Sequence, residues 1–177
     1  MNYATIKKHD IANGTGIRVS LFVSGCTHHC KGCFNPETWD FNYGSEYTEA
    51  TENEILQALA PSYIKGLTLL GGEPFEPQNQ PTLLKLCKKV KQQYPNKTIW
   101  CYSGYNYEID ILAGRLGDHE VTDELIHLID VLVDGPFVES KKDLRLRFKG
   151  SSNQRIIDVP KSLETDEIVL WDAAIPE

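Results

Sequence analysis

The order of apolar runs along this 177-residue chain predicts an α/β fold with a mainly parallel sheet. Short β-rich runs recur, stretches with helical periodicity separate them, and each run closes on a turn rich in glycine or serine. In parallel sheets the chemistry sits at the carboxyl ends of the strands. Four such ends here carry candidate residues: a cysteine loop, Gly71-Gly72-Glu73-Pro74, Ser103-Gly104 and Asp134-Gly135.

In order along the chain, Ile17 to Val23 alternates and is rich in β-branched residues, which predicts a strand leading straight into the cysteine loop. Thr51-Glu52-Asn53-Glu54 has the form of a capping box before Ile55, Leu56 and Leu59, and predicts a helix start. Leu67 to Leu70 reads as a short buried strand. From Pro81 to Tyr94, Leu83, Leu84, Leu86, Cys87 and Val90 form the apolar stripe of a helix. Thr98 to Tyr102 reads as a strand, Ile109 to Leu116 and Thr122 to Ile129 as helices, and Val131 to Val133 as another strand. Residues 141–155 are polar and basic, which predicts a long ordered loop. Ile156 to Val159 and Ile168 to Leu170 read as late strands.

Composition narrows the classes. At 41% hydrophobic and 24% charged, the chain can bury a core, and its length fits one domain spanning 1–177. Eighteen Lys and Arg against 25 Asp and Glu give a net charge of -7, which argues against a nucleic-acid partner. No apolar run reaches bilayer length and no apolar stretch follows the first residues. The expectation is a cytoplasmic protein without a membrane partner; a homodimer stays open.

Three of the five cysteines, Cys26, Cys30 and Cys33, fall within eight residues. In a reducing compartment such clustering points to metal or redox chemistry. Three thiolates from one loop can hold three corners of a [4Fe-4S] cluster and leave the fourth iron open to a ligand. Two other readings compete: zinc completed by His28 or His29, and a redox pair in Cys30-Lys31-Gly32-Cys33. His28 and His29 themselves read as solvent-facing loop residues. Cys87, on a helix stripe, and Cys101, in a strand, read as core.

Cys26-x-x-x-Cys30-x-x-Cys33 after the first of these strands resembles the radical S-adenosylmethionine (SAM) superfamily. Gly71-Gly72-Glu73-Pro74 is similar to its SAM-binding G-G-E-P motif, where glycines permit close backbone approach to an amino group. The segments Gly25 to Trp39, Ile129 to Phe137 and Lys149 to Arg155 are similar to the activating proteins of anaerobic ribonucleoside-triphosphate reductase.

That resemblance implies a partial (β/α) barrel, with Cys26, Cys30 and Cys33 on the cluster. It implies SAM contacts from Gly32, Cys33, Phe34, Gly71, Gly72, Glu73, Pro74, Ser103 and Asp134. It further implies a low-potential electron donor such as flavodoxin, and a partner in the large glycyl-radical subunit of the reductase, whose glycine would become a radical. The stretch Trp171 to Pro176 holds no glycine to carry one. A radical SAM enzyme acting on a small molecule and a non-catalytic zinc-binding subunit remain as alternatives. The segment Lys149 to Arg155 could serve SAM or the partner.

Overall fold

In the computed structural model, residues 1–172 are described, so the run from Ala173 onward, most of the glycine-free end, lies outside the described residues. Seven strands are present: β1 (Asn2–Asp10), β2 (Ile17–Val23), β3 (Ser45–Glu46), β4 (Ile64–Gly71), β5 (Thr98–Tyr102), β6 (Val131–Asp134) and β7 (Arg155–Asp158). They form one sheet in the order β3-β1-β2-β4-β5-β6-β7. The centre is parallel, β2 with β4, β4 with β5 and β5 with β6, as the alternation with helices predicts. Both flanks are antiparallel, so the sheet is partly rather than mainly parallel, and it stays open. The flanks escape a sequence reading for a physical reason. β1 is largely solvent-facing and carries Lys7 and Lys8, so it lacks the apolar signature of a central strand.

Helices α1 (Glu49–Ala58), α2 (Gln80–Gln93), α3 (His119–Leu128) and α4 (Val159–Thr165) complete the fold. The cap of α1 lies three residues earlier than the sequence suggests. Thr48 accepts from the Thr51 amide, and the Thr51 hydroxyl accepts from the Thr48 amide. Each half of the box uses a threonine, so Thr51 is the third helical residue and not the cap; such caps contribute about 1 kcal/mol. Ile109 to Leu116 shortens to one wide turn over Tyr107–Ile111, capped by Asn106. Ile168 to Leu170 makes only an isolated bridge, Leu170 to Ile157. Val159 opens α4 where Pro160 fits the first turn. Residues 141–155 form the predicted ordered loop as far as Gln154, closed on itself by a Lys142–Ser151 bridge.

The two faces of the sheet differ. Val19, Leu21, Val23, Leu67, Leu69, Ile99, Cys101 and Leu132 join Leu83, Leu86, Cys87 and Leu125 in one core under the helices. On the opposite face sits Arg18, fully buried, donating to Thr68 Oγ1 (2.9 Å), Leu67 O (3.0 Å) and Thr98 O (2.8 Å). A smaller cluster of Trp100, Val131 and Val133 lies on that face with Phe148 and Trp171. The helix-free face therefore has a solid base and, above it, the cavity described next. No helix among the described residues is long and apolar enough to cross a membrane.

Candidate metal centre

The cysteine loop begins where β2 ends and is pinned by backbone. Gly25 N donates to Thr38 O (2.7 Å), Cys26 N to Trp39 O (3.2 Å) and Cys33 N to Cys30 O (3.1 Å). Gly25 has φ +102 and Gly32 φ +75, conformations that L side chains rarely adopt, so these glycines let the loop fold back on itself. A Cβ on Gly72 would stand 2.7 Å from Gly25 O and 3.0 Å from Thr38 O. The bareness of Gly72 therefore admits the cysteine loop's own backbone. The sequence predicts that it admits a ligand, and Gly72 also lines the cavity described below.

Two buried carboxylates clamp the loop from below. Glu73 accepts from His28 Nε2 (2.8 Å), Phe75 N (2.8 Å), Ser103 Oγ (2.9 Å) and Gly104 N (2.7 Å). It ties together the exits of β2, β4 and β5. Glu76 accepts through Oε1 from Thr27 N (3.0 Å), Thr27 Oγ1 (2.7 Å) and Tyr105 OH (3.3 Å). Asn79 Nδ2 adds bonds to Ser24 O and Glu73 O. His28 is thus a half-buried brace and does not face solvent as the sequence suggests, while exposed His29 stacks on Trp39 at 4.6 Å between centroids. Burial alone would lower the His28 pKa, yet the hydrogen bond and charge of Glu73 raise it above the ordinary value.

Cys26, Cys30 and Cys33 line one cavity of about 550 Å³ together with Phe34, Gly71, Gly72, Glu73 and Ser103. That volume lies within the range of roughly 300–1,000 Å³ typical of small-molecule sites. Phe34 is 53% exposed at the rim and meets Phe137 at 5.0 Å between ring centroids. Gly32 and Pro74 do not line the cavity; Gly32 backs onto the Glu139 side chain, and Pro74 is buried. Ser103 spends its hydroxyl on Glu73 and on accepting from Tyr105 N (3.1 Å). Asp134 is buried and turned away from the cavity. Its carboxylate takes Arg155 Nη2 (2.5 Å) and Nε (3.0 Å), and the Tyr107 amide (2.9 Å). From the segment Lys149 to Arg155, Lys149, Gly150 and Gln154 reach the cavity.

The donor set suits an iron–sulfur cluster with three cysteine ligands. Cys87 and Cys101 are fully buried in the helix-side core and stay out of the cavity. Burial pushes the Cys26 thiol up to about 12, with Glu73 and Glu76 adding to the rise, while the His28 and His29 amides directed at its sulfur work against it. A metal must displace that proton, and amides of this kind then stabilise the bound thiolate. Among the described residues, no three His, Cys, Asp or Glu side chains are grouped to hold one metal ion. Zinc needs its ligands around a single point, whereas a cubane gives each thiolate its own iron. His28, the candidate fourth zinc ligand, is already held by Glu73.

Glu76, Asn79 and Tyr105 carry no sequence assignment to this site, and His28 enters there only as a zinc ligand, not as a brace. A signal existed only for Glu76, an acid three residues after Glu73 in a turn closed by Glu76 N to Glu73 O (3.1 Å).

Comparison with known proteins adds two findings. Residues 12–157 match the 4Fe-4S single cluster domain. The chain is 43% identical over 156 residues to the anaerobic ribonucleoside-triphosphate reductase-activating protein of Escherichia coli K12, covering 87% of this chain and 96% of that protein. The protein of the same name from Vibrio cholerae is 42% identical over 158 residues, covering 88% and 97%. That from Enterobacteria phage T4 is 40% identical over 156 residues, covering 88% and 93%.

Proposed function

The chain belongs to the family of anaerobic ribonucleoside-triphosphate reductase-activating proteins and carries its 4Fe-4S domain, and from that membership we propose that it is a cytoplasmic radical SAM oxidoreductase. Its substrate is a glycine on the large reductase subunit, and a low-potential donor such as flavodoxin supplies the electron. One observation carries the reading: the three cysteines and the Gly71-Gly72 backbone face the same cavity at the carboxyl ends of β2 and β4. When bound, the cluster supplies one electron that splits SAM into methionine and a 5′-deoxyadenosyl radical, which takes a hydrogen atom from the glycine.

The rest is work for the chain's own residues, acting as one unit over 1–177 on a partial-barrel frame. Cys26, Cys30 and Cys33 would hold the cluster by three thiolates, leaving it one open position for the amino and carboxylate groups of SAM. Gly71 and Gly72 bring backbone close to that amino group, and Phe34 offers a ring at the rim for the adenine. Glu73 acts by tying three loops into one frame, and Ser103 by holding Glu73. Asp134 acts at a remove, fixing the β6 exit through Arg155.

The test is anaerobic reconstitution followed by electron paramagnetic resonance of the reduced protein, with and without SAM. The expected result is a cluster signal whose shape changes when SAM is added. Stoichiometric zinc in place of iron and sulfide, or a signal indifferent to SAM, would overturn the reading.

A further inference from the structure

Glu76 and Glu73 are both buried beside the cysteine loop, at 4% and 1% exposure, but they are not equivalent. Glu73 meets a histidine that can carry a proton. Glu76 Oε1 accepts only from neutral donors, and among the described residues no salt bridge reaches Glu76, although its charge acts on the nearby His28. Its first partner, the Thr27 amide at 3.0 Å, shares a peptide bond with Cys26. A buried carboxylate is screened less than one in open water, so its field still reaches whatever Cys26 binds.

We propose that Glu76 is a positioning residue for the cluster, which anchors the Cys26 end of the loop and sets the cluster's reduction potential low by holding a buried negative charge beside it. This rests on the cluster reading above. The physics of the two roles is separate. Three bonds to one oxygen fix the loop to the turn after β4 and to Tyr105 beyond β5. A nearby negative charge disfavours adding an electron, and net charge is among the factors that set cluster potentials. A cluster that is harder to reduce is a stronger reductant once reduced, which cleavage of a sulfonium requires.

The experiment is a redox titration of the iron-loaded protein, read by electron paramagnetic resonance, on the parent and on Glu76→Gln. Glutamine keeps an oxygen that accepts from Thr27 and Tyr105 but removes the charge. Iron and sulfide content should match the parent. The reduced-to-oxidised ratio at the parent's midpoint should rise roughly tenfold, the size expected of one partly screened charge, which for one electron is a positive shift of about 59 mV. A second variant, Thr27→Val with Tyr105→Phe, removes two of the three donors and keeps the charge. It should hold the parent's potential but lose iron faster to a chelator.

A loaded Glu76→Gln with the parent's midpoint overturns the proposal. So does a Glu76→Gln that fails to load while the double variant keeps its iron as firmly as the parent. A parent that binds no iron overturns the cluster reading itself, and this inference with it.

Discussion

Cys87 lies fully buried on the core side of α2, and burial pushes its thiol from 9.0 up to about 12. The folded chain therefore keeps a proton that the unfolded chain loses above pH 9. Stability contributed by the neutral thiol is complete below that pH and falls as pH rises toward 12. Three pH units correspond to about 4 kcal/mol. Denaturant unfolding of the iron-free protein should show alkaline destabilisation over this window that is smaller in Cys87→Ala than in the parent. An identical pH slope in both would remove Cys87 as its source. The ligand proposal rests on the three loop thiols alone. Alanine at Cys26, Cys30 or Cys33 should each abolish bound iron and the brown colour, whereas Cys87→Ala and Cys101→Ala should retain both. Iron loss in Cys87→Ala equal to that in Cys30→Ala would sink the ligand assignment. The cysteine spacing was readable from sequence because ligands from one loop sit close along the chain. The braces were not, because His28 meets Glu73 across 45 positions and Tyr105 meets Glu76 across 29.

At the scale of elements, the exit of β4 and the cysteine loop form one object. Gly72 N donates to Val23 O (2.7 Å) and Glu73 N to Gly25 O (2.8 Å), so the two strand ends continue their pairing past the sheet. A side chain at Gly72 would press on Gly25 and Thr38 backbone, which cannot rotate away as a side chain can. Gly72→Val should therefore cost about 1–3 kcal/mol as an overpacked site and reduce iron loading along with SAM binding. Metal analysis beside SAM titration checks this. Full iron with only SAM binding lost would remove the loop-contact explanation and leave ligand approach as the sole role of the bare Gly72. The central strands were legible because their buried positions leave short β-rich runs, alternating in β2 and near-continuous in β6. The edge strands were not, since β3 is two exposed residues and β1 mixes Tyr3 and Ile6 with lysines. The α1 cap was misplaced by three residues because Thr48 and Thr51 both suit the first position, and only packing of the flanking chain chooses between them.

For the whole molecule, the decisive feature is a sheet that covers one face with helices and leaves the strand ends of the other around an open cavity. The sheet's two edges, β3 and β7, do not pair, so nothing in its hydrogen bonding closes this face into a barrel. Such a face can admit a segment of another polypeptide. A SAM-derived radical must meet its hydrogen donor within contact distance, because it reacts faster than it can diffuse. The chain's own glycines at the cavity, Gly71, Gly72, Gly104, Gly135 and Gly150, are built into the strand exits and the 149–155 turn. They have no freedom to approach a ligand as a mobile loop would. The reduced protein with SAM alone should therefore give slow cleavage and no persistent organic radical. Addition of the large reductase subunit should yield 5′-deoxyadenosine, methionine and a long-lived glycyl doublet. Deuterium has a much smaller magnetic moment than hydrogen, so labelling glycine in the large subunit should collapse the doublet, while labelling glycine in this chain should leave it unchanged. A doublet that followed the label in this chain, or that formed without the large subunit, would place the radical here and end the activase reading.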